Sequence, residues 1–149
     1  FTWFPIMEVA KLFAGIFITV IPALSILGDN KEAFSTLSAN VYFWLTGSLS
    51  GFLDNAPTYL VFFNIAGASV PDGMAIADYL MNHKPTTLLA ISLGAVFMGA
   101  ITYIGNAPNF MVKSIAEENN IKMPSFFGYM LWSVIILIPI LFIVSLIFI

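Results

Sequence analysis

The chain alternates between long apolar runs and short polar breaks, and the run over residues 37–67 determines how the rest is interpreted. It is apolar on both sides of a break that contains Asp54, Asn55 and Pro57. As one helix it would be about 46 Å long, whereas the hydrocarbon core of a bilayer is about 30 Å thick. The piece after the break is much shorter than the roughly 20 residues of a separate crossing. These lengths predict a re-entrant helical hairpin, which enters the membrane and returns to the same side.

The other apolar runs predict the remaining helices of an all-α polytopic membrane protein. Two are long enough to cross a bilayer without interruption, and a third is broken by a second polar sequence. A shorter segment after a proline has apolar residues at helical spacing, which is typical of an interfacial helix. We therefore expect one membrane domain over residues 1–149, with about three spanning helices, one of them broken, and the hairpin. The expected elements are a spanning helix at 6–27, the hairpin at 37–67, an interfacial helix at 71–83, a broken helix at 86–116 and a spanning helix at 126–149.

Composition narrows the class of protein. The chain is 60% hydrophobic and only 9% charged, and its mean hydropathy is +0.97, which predicts an integral membrane protein in contact with the lipid bilayer. It has no cysteine, so disulfides and thiolate metal sites are excluded. The absence of arginine and of a basic patch argues against nucleic acid as a partner. No catalytic dyad or nucleotide-binding loop is recognisable, so we expect neither an enzyme nor a cofactor.

The two polar breaks share a sequence pattern. Asn55-Ala-Pro-Thr-Tyr in the hairpin corresponds to Asn106-Ala-Pro-Asn-Phe in the later helix. A helix interrupted within a membrane leaves backbone groups without partners, and such paired interruptions are typical of transporter binding sites. Carboxylate, amide and hydroxyl oxygens are hard ligands that suit Na⁺, which we place at Asp54, Asn55 and Asn106. The predicted ion- and proton-binding residues are Asp54, Asn55, Thr58, Asn106 and Asn109.

Asp54 is the only carboxylate in the middle of an apolar run. Na⁺ and H⁺ would compete for this one group, which favours Na⁺/H⁺ exchange with both ions as transported substrates. A different interpretation is that Asp54 only caps a helix, and that the Asn and Thr side chains only satisfy a turn. Ser50 could line the site or bond to its own helix. Lys113 could balance Asp54 or a substrate charge, or could extend to the membrane surface.

The breaks and the sequence around them resemble a known transporter group. SGFLDNAPTYLVFFNIAG, GAVFMGAITYIGNAPNFMVKSIAEE and MPSFFGYMLWS are similar to the C-terminal half of sodium/proton antiporters in the ion-transporter superfamily. That superfamily includes NhaD-type antiporters, arsenite permeases and citrate or dicarboxylate carriers. The resemblance implies an inverted-repeat fold in which each half supplies a re-entrant hairpin and an unwound helix. It puts Asp54, Asn55 and Thr58 at the hairpin tip, and Asn106 and Asn109 at the unwound helix.

The resemblance also implies partners and a location. One half cannot build a site of two halves, and the chain opens on Phe1 rather than methionine, so we expect a fragment whose partner is the N-terminal half of the same transporter. A homodimer with multiple spans in the bacterial inner membrane is expected as well.

Three functions remain open from the sequence. Carboxylate carriers of the superfamily typically have Ser-Asn-Thr at the hairpin tip, whereas this chain has Asp-Asn-Ala-Pro-Thr, and an acidic tip favours a cation. We therefore expect Na⁺/H⁺ antiport, with an organic-anion or arsenite carrier as the nearest alternative. A non-transporting membrane subunit is the alternative of another class, because Gly47 and Gly51 form a GxxxG pair that lets helices approach closely.

Overall fold

The computed structural model describes residues 3–29 and 36–149, apart from five side chains within the first helix. In this part of the chain all regular secondary structure is helical and no strand is present, which confirms the all-α expectation. The described helices are α1 (Phe4–Asp29), α2 (Ala39–Leu53), α3 (Asn55–Ala66), α4 (Ile76–His83), α5 (Pro85–Met98), α6 (Ala107–Glu118) and α7 (Phe126–Phe148).

The chain reverses direction between α2 and α3. The rings of Tyr42 and Phe62, which lie on opposite sides of the break, are 6.2 Å apart between centroids. In one continuous helix of 1.5 Å rise, these two residues would be about 30 Å apart. Asp54 alone separates the two helices, with φ 85° and ψ 151°. A break extending to Pro57 was therefore too wide a prediction, because proline is tolerated in the first turn of a helix and α3 already begins at Asn55.

Glycines bring the backbone of α2 against that of α5. A Cβ atom on Gly94 would lie 2.5 Å from the carbonyl oxygen of Phe43 and 3.2 Å from the amide nitrogen of Gly47. A Cβ atom on Gly47 would collide with the side chain of Met98. The small residues of the predicted GxxxG pair thus pack within the chain, where they hold the hairpin against α5.

The predicted broken helix unwinds earlier than its second polar sequence. α5 ends at Met98, and α6 begins only at Ala107, so residues 99–106 form the unwound segment. The helix ends before the second polar sequence because Thr102 uses its hydroxyl to bond nearby backbone groups, which competes with helical bonding. With 14 residues in α5 and 12 in α6, neither piece alone reaches the roughly 20 residues of a crossing.

One helix in the described part of the chain meets the length and hydropathy of a membrane span, namely α7, with 23 residues. The structure therefore supports the predicted set of about three spanning helices only in part. α1 has 26 residues and contacts α3 and α6. The predicted interfacial helix is eight residues long and begins at Ile76, because turns occupy the residues after Pro71 and Gly73 adopts φ 85°.

Candidate functional site

The tip of the hairpin and the unwound segment meet at three glycines. A Cβ atom on Gly105 would lie 2.7 Å from the carbonyl oxygen of Gly51 and 2.6 Å from that of Gly99. A Cβ atom on Gly99 would collide with the side-chain amide of Asn55. Only residues without a side chain allow this approach, so the glycines determine how closely the hairpin tip and the unwound segment pack.

Thr102 fixes the conformation of the unwound segment. Its hydroxyl is fully buried and donates to the carbonyl oxygen of Gly51 on α2. The same oxygen accepts from the amide of Ile104 at 3.2 Å and from that of Gly105 at 3.0 Å. These amides have no helical partner, so the hydroxyl satisfies groups that would otherwise be buried without hydrogen bonds.

The side-chain amide of Asn55 lies at the centre of the site. With its nitrogen turned inward, it is 3.0 Å from the carbonyl oxygen of Gly105 and 3.1 Å from both Ser50 Oγ and the carbonyl oxygen of Ala95. Its oxygen then accepts from Asn106 Nδ2 at 3.1 Å. This orientation satisfies both ends of the amide, which is the criterion that assigns an asparagine side chain. Asn55 and Asn106, one from each polar break, are therefore in direct contact.

The opposite orientation of the Asn55 amide has a different chemistry. Its oxygen would then face Ser50 Oγ and the carbonyl oxygens of Ala95 and Gly105, so that four oxygens would converge with one hydroxyl proton among them. Four oxygens this close repel one another, and together they attract a hard cation.

Asp54 lies at the tip as the N-cap of α3. Its carboxylate oxygen Oδ1 accepts from the amide of Ala56 at 3.1 Å, and its side chain is partly exposed. The hydroxyl of Thr58, which is buried, donates to the backbone carbonyl oxygen of Asp54 at 2.7 Å. Both residues therefore have the local bonds that close the hairpin. A capping carboxylate retains further lone pairs, so this role does not exclude ion binding.

The asparagine of the second helix also faces the unwound backbone. Asn109 Nδ2 lies 3.4 Å from the carbonyl oxygens of both Gly99 and Thr102. Two carbonyls that unwinding leaves without helical partners thus have a side-chain donor. Among the predicted site residues, Asn55, Asn106 and Asn109 all contact the hairpin tip or the unwound segment through their amides.

The two residues predicted as possible contributors differ in position. Ser50 is buried, and its hydroxyl donates to the carbonyl oxygen of Ala95 at 2.5 Å across the α2–α5 contact. Lys113 Nζ instead lies 2.6 Å from Glu117 Oε2 and 5.6 Å from the centroid of the Tyr103 ring. No ion pair joins Lys113 to Asp54 within the described residues. Ser50 therefore belongs to the site, and Lys113 belongs to a separate pocket.

A cavity of about 560 Å³ opens beside Asn55 between α3 and α5. Its lining includes the polar side chains of Asn55, Tyr59 and Ser92, and no charged group. In the described residues no three His, Asp or Glu side chains come together as metal ligands. The donors available here are neutral oxygens, which suit an alkali cation better than a transition metal.

Sequence reasoning missed Thr102, Gly99 and Gly105 as site residues. Thr102 lies inside an apolar run of the sequence that predicts a helix. The available signal was a threonine with a glycine three residues away on each side, the second of them immediately before Asn106. Glycine and a hydroxyl that bonds the backbone both weaken a helix.

These features define a class of protein. A helical chain with a membrane-length apolar helix, and with a helical hairpin facing an unwound segment through polar side chains, has the features of a membrane transport protein. The chain belongs to the family described as "putative citrate transport", whose model matches residues 1–149. No curated protein and no solved structure gives a significant match. The family agrees with the expectation of a membrane transporter rather than an enzyme, and the ions such a protein carries are substrates, not cofactors.

Proposed function

We propose that this protein is a secondary transporter that exchanges Na⁺ for H⁺, with the cation held between the hairpin tip and the unwound segment. The observation that carries the proposal is the convergence of Ser50 Oγ and the carbonyl oxygens of Ala95 and Gly105 on the side-chain amide of Asn55. Binding Na⁺ would turn the amide oxygen inward, and release would restore the hydrogen bonds. Asn106 would follow, because its amide bonds that of Asn55.

Asp54 supplies the charge in this mechanism. Its backbone is continuous with Asn55, and its carboxylate is the acidic group of the hairpin tip. Na⁺ and H⁺ would compete for this carboxylate, so binding of one ion would oppose binding of the other. Alternating access would follow if the hairpin and the unwound segment moved together.

A citrate-like organic anion is the second candidate, because the family description names citrate. The N-terminal ends of α3 and α6 would favour the carboxylates of such a substrate. The cavity beside Asn55 has no basic side chain in its lining, so a bound cation would have to supply the balancing charge. Cation binding at Asn55 is therefore common to both candidates.

The complete transporter would include an N-terminal half that supplies a matching hairpin and unwound helix. We infer a homodimer with several spans in the bacterial inner membrane, in keeping with the resemblance to two-halved antiporters.

Proteoliposomes that contain the full-length protein test the exchange. We expect Na⁺ to dissipate an imposed pH gradient with wild type and not with Asp54→Asn. Asparagine caps a helix about as well as aspartate, so this change removes the charge and keeps the cap. Asp72→Asn, at an exposed residue outside the site, is the matched control and should transport like wild type.

The same vesicles distinguish the two candidates. Na⁺-dependent citrate uptake without Na⁺-driven proton movement would replace antiport by organic-anion transport. Proton movement that persists in Asp54→Asn would contradict the assigned role of Asp54.

A further inference from the structure

A second pocket lies between the unwound segment, α6 and the start of α7. Its volume is about 460 Å³, and its walls combine apolar side chains with charged ones. The charged lining residues are Lys113, Glu117 and Lys122, and the apolar ones include Phe110 and Phe126. This pocket shares no lining residue with the cavity beside Asn55.

The depth of this pocket in the membrane follows from α7. At 1.5 Å per residue, the 23 residues of α7 extend about 35 Å, slightly more than the roughly 30 Å hydrocarbon core. Phe126 is both the first residue of α7 and part of the pocket wall. The pocket therefore lies at the level of the lipid headgroups, while the apolar surface of α7 continues from it toward the acyl chains. Phe127 and Leu131 on that surface are 73% and 62% exposed.

The aromatic wall of the pocket is firmly held. The rings of Tyr103 and Tyr129 stack with centroids 4.1 Å apart. The hydroxyl of Tyr103 donates to the carbonyl oxygen of Pro124 at 3.2 Å, and that of Tyr129 donates to the carbonyl oxygen of Ala100 at 3.0 Å. A ligand would thus enter a site that is already formed, which lowers the entropic cost of binding.

The charged groups of the pocket offer both hydrogen-bond donors and acceptors to a ligand. Lys113 uses one of its three N–H donors on Glu117 Oε2, and Glu117 keeps a second oxygen, with 46% of its side chain exposed. Lys122 is exposed and adds a second positive charge. Two ammonium groups beside one carboxylate complement a ligand that carries a phosphate and an ammonium group together.

We propose that this pocket binds the headgroup of a phospholipid with a primary amine, that is, a phosphoethanolamine group. The phosphate lies against Lys113 and Lys122, the ammonium group donates to Glu117, and the acyl chains follow α7. A headgroup with a phosphate alone would leave Glu117 facing an anion. A choline headgroup has no N–H to donate to the carboxylate.

Lipid competition on the full-length protein tests the proposal. Native mass spectrometry after exchange into equimolar phosphatidylethanolamine, phosphatidylcholine and phosphatidylglycerol measures which lipid is retained. We expect a preference for phosphatidylethanolamine over the other two of up to about fivefold, the range of a partly exposed ion pair. Equal retention of the ethanolamine and choline lipids, or a preference for phosphatidylglycerol, would overturn the proposal.

Variants of the charged residues give a second readout. Glu117→Gln should abolish the preference for ethanolamine over choline by lowering retention of phosphatidylethanolamine, while retention of phosphatidylcholine stays unchanged. Lys122→Gln should lower retention of all three lipids. Lys11→Gln, at an exposed position of α1, should change neither the lipid preference nor the retention. A Glu117→Gln protein that still prefers phosphatidylethanolamine would show that Glu117 does not bind the ammonium group, and the proposal would fail.

Discussion

Replacement of Thr102 by valine removes the hydroxyl that ties the unwound segment to the hairpin. Valine keeps the shape of the side chain, so the change isolates the hydrogen bonds. It leaves the buried carbonyl oxygen of Gly51, the buried amide of Gly105 and the partly buried amide of Ile104 without this partner. An unsatisfied buried group costs about 1–3 kcal/mol. Because the two amides share one acceptor and can relax together, we expect a loss of about 3 kcal/mol in the free energy of unfolding.

The assay is equilibrium unfolding of the full-length protein in mixed micelles. Thr102→Ser keeps the hydroxyl and should lose much less stability than Thr102→Val. Thr86→Val is the control for exchanging a hydroxyl for a methyl group at an exposed position, and it should be neutral. If Thr102→Val were as stable as Thr102→Ser, the hydroxyl of Thr102 would not fix the conformation of the unwound segment.

Other contacts give further predictions. Gly94→Ala would bring a Cβ atom to 2.5 Å from the carbonyl oxygen of Phe43, so we expect the free energy of unfolding to fall by about 1–3 kcal/mol. Gly15→Ala, with nothing within 4 Å of the new Cβ atom, should not destabilise, and equal effects would contradict the α2–α5 contact. Tyr129→Phe should cost about 1 kcal/mol and speed hydrogen exchange in residues 99–106, because it frees the carbonyl of Ala100. Unchanged exchange would show that this bond does not restrain the segment. Ser114→Ala should cost about 1 kcal/mol in the same unfolding assay, because it removes the 2.7 Å bond to Glu8 that joins α6 to α1. An unaltered free energy of unfolding would mean that this bond contributes nothing.

The length argument predicts a hairpin from few assumptions. An apolar run too long for one crossing, with a remainder too short for a second, is expected to reverse, and the contact between Tyr42 and Phe62 shows that the chain reverses there. Re-entry of this hairpin into a membrane stays a prediction. The width of the break was not predictable in the same way. Asp54 alone forms the turn between the two helices, with φ 85°. Asparagine and aspartate tolerate this backbone conformation better than most residues. No local pattern distinguishes one such residue from a longer loop.

The candidate site was predictable in its amides but not in its backbone. The repeated Asn-Ala-Pro pattern led to Asn55 and Asn106, which the structure brings into contact at 3.1 Å. The unwinding at Gly99 depends on the tertiary bond from Thr102 to Gly51. Within the sequence, that threonine is only one polar residue in an apolar run. The repeated sequence pattern therefore predicted the asparagine side chains, whereas a long-range hydrogen bond determines where α5 ends.

Binding of ²²Na⁺ to the full-length protein tests most directly whether the cation site is centred on Asn55. We expect saturable binding by wild type and at least about tenfold weaker binding by Asn55→Ala, equivalent to 1.4 kcal/mol. Asn64→Ala is the matched control, because Asn64 is exposed and bonds only to the carbonyl oxygen of Leu60 in its own helix. Its affinity for Na⁺ should equal that of wild type. Wild-type affinity in Asn55→Ala, or the same loss in both variants, would contradict a cation site at Asn55.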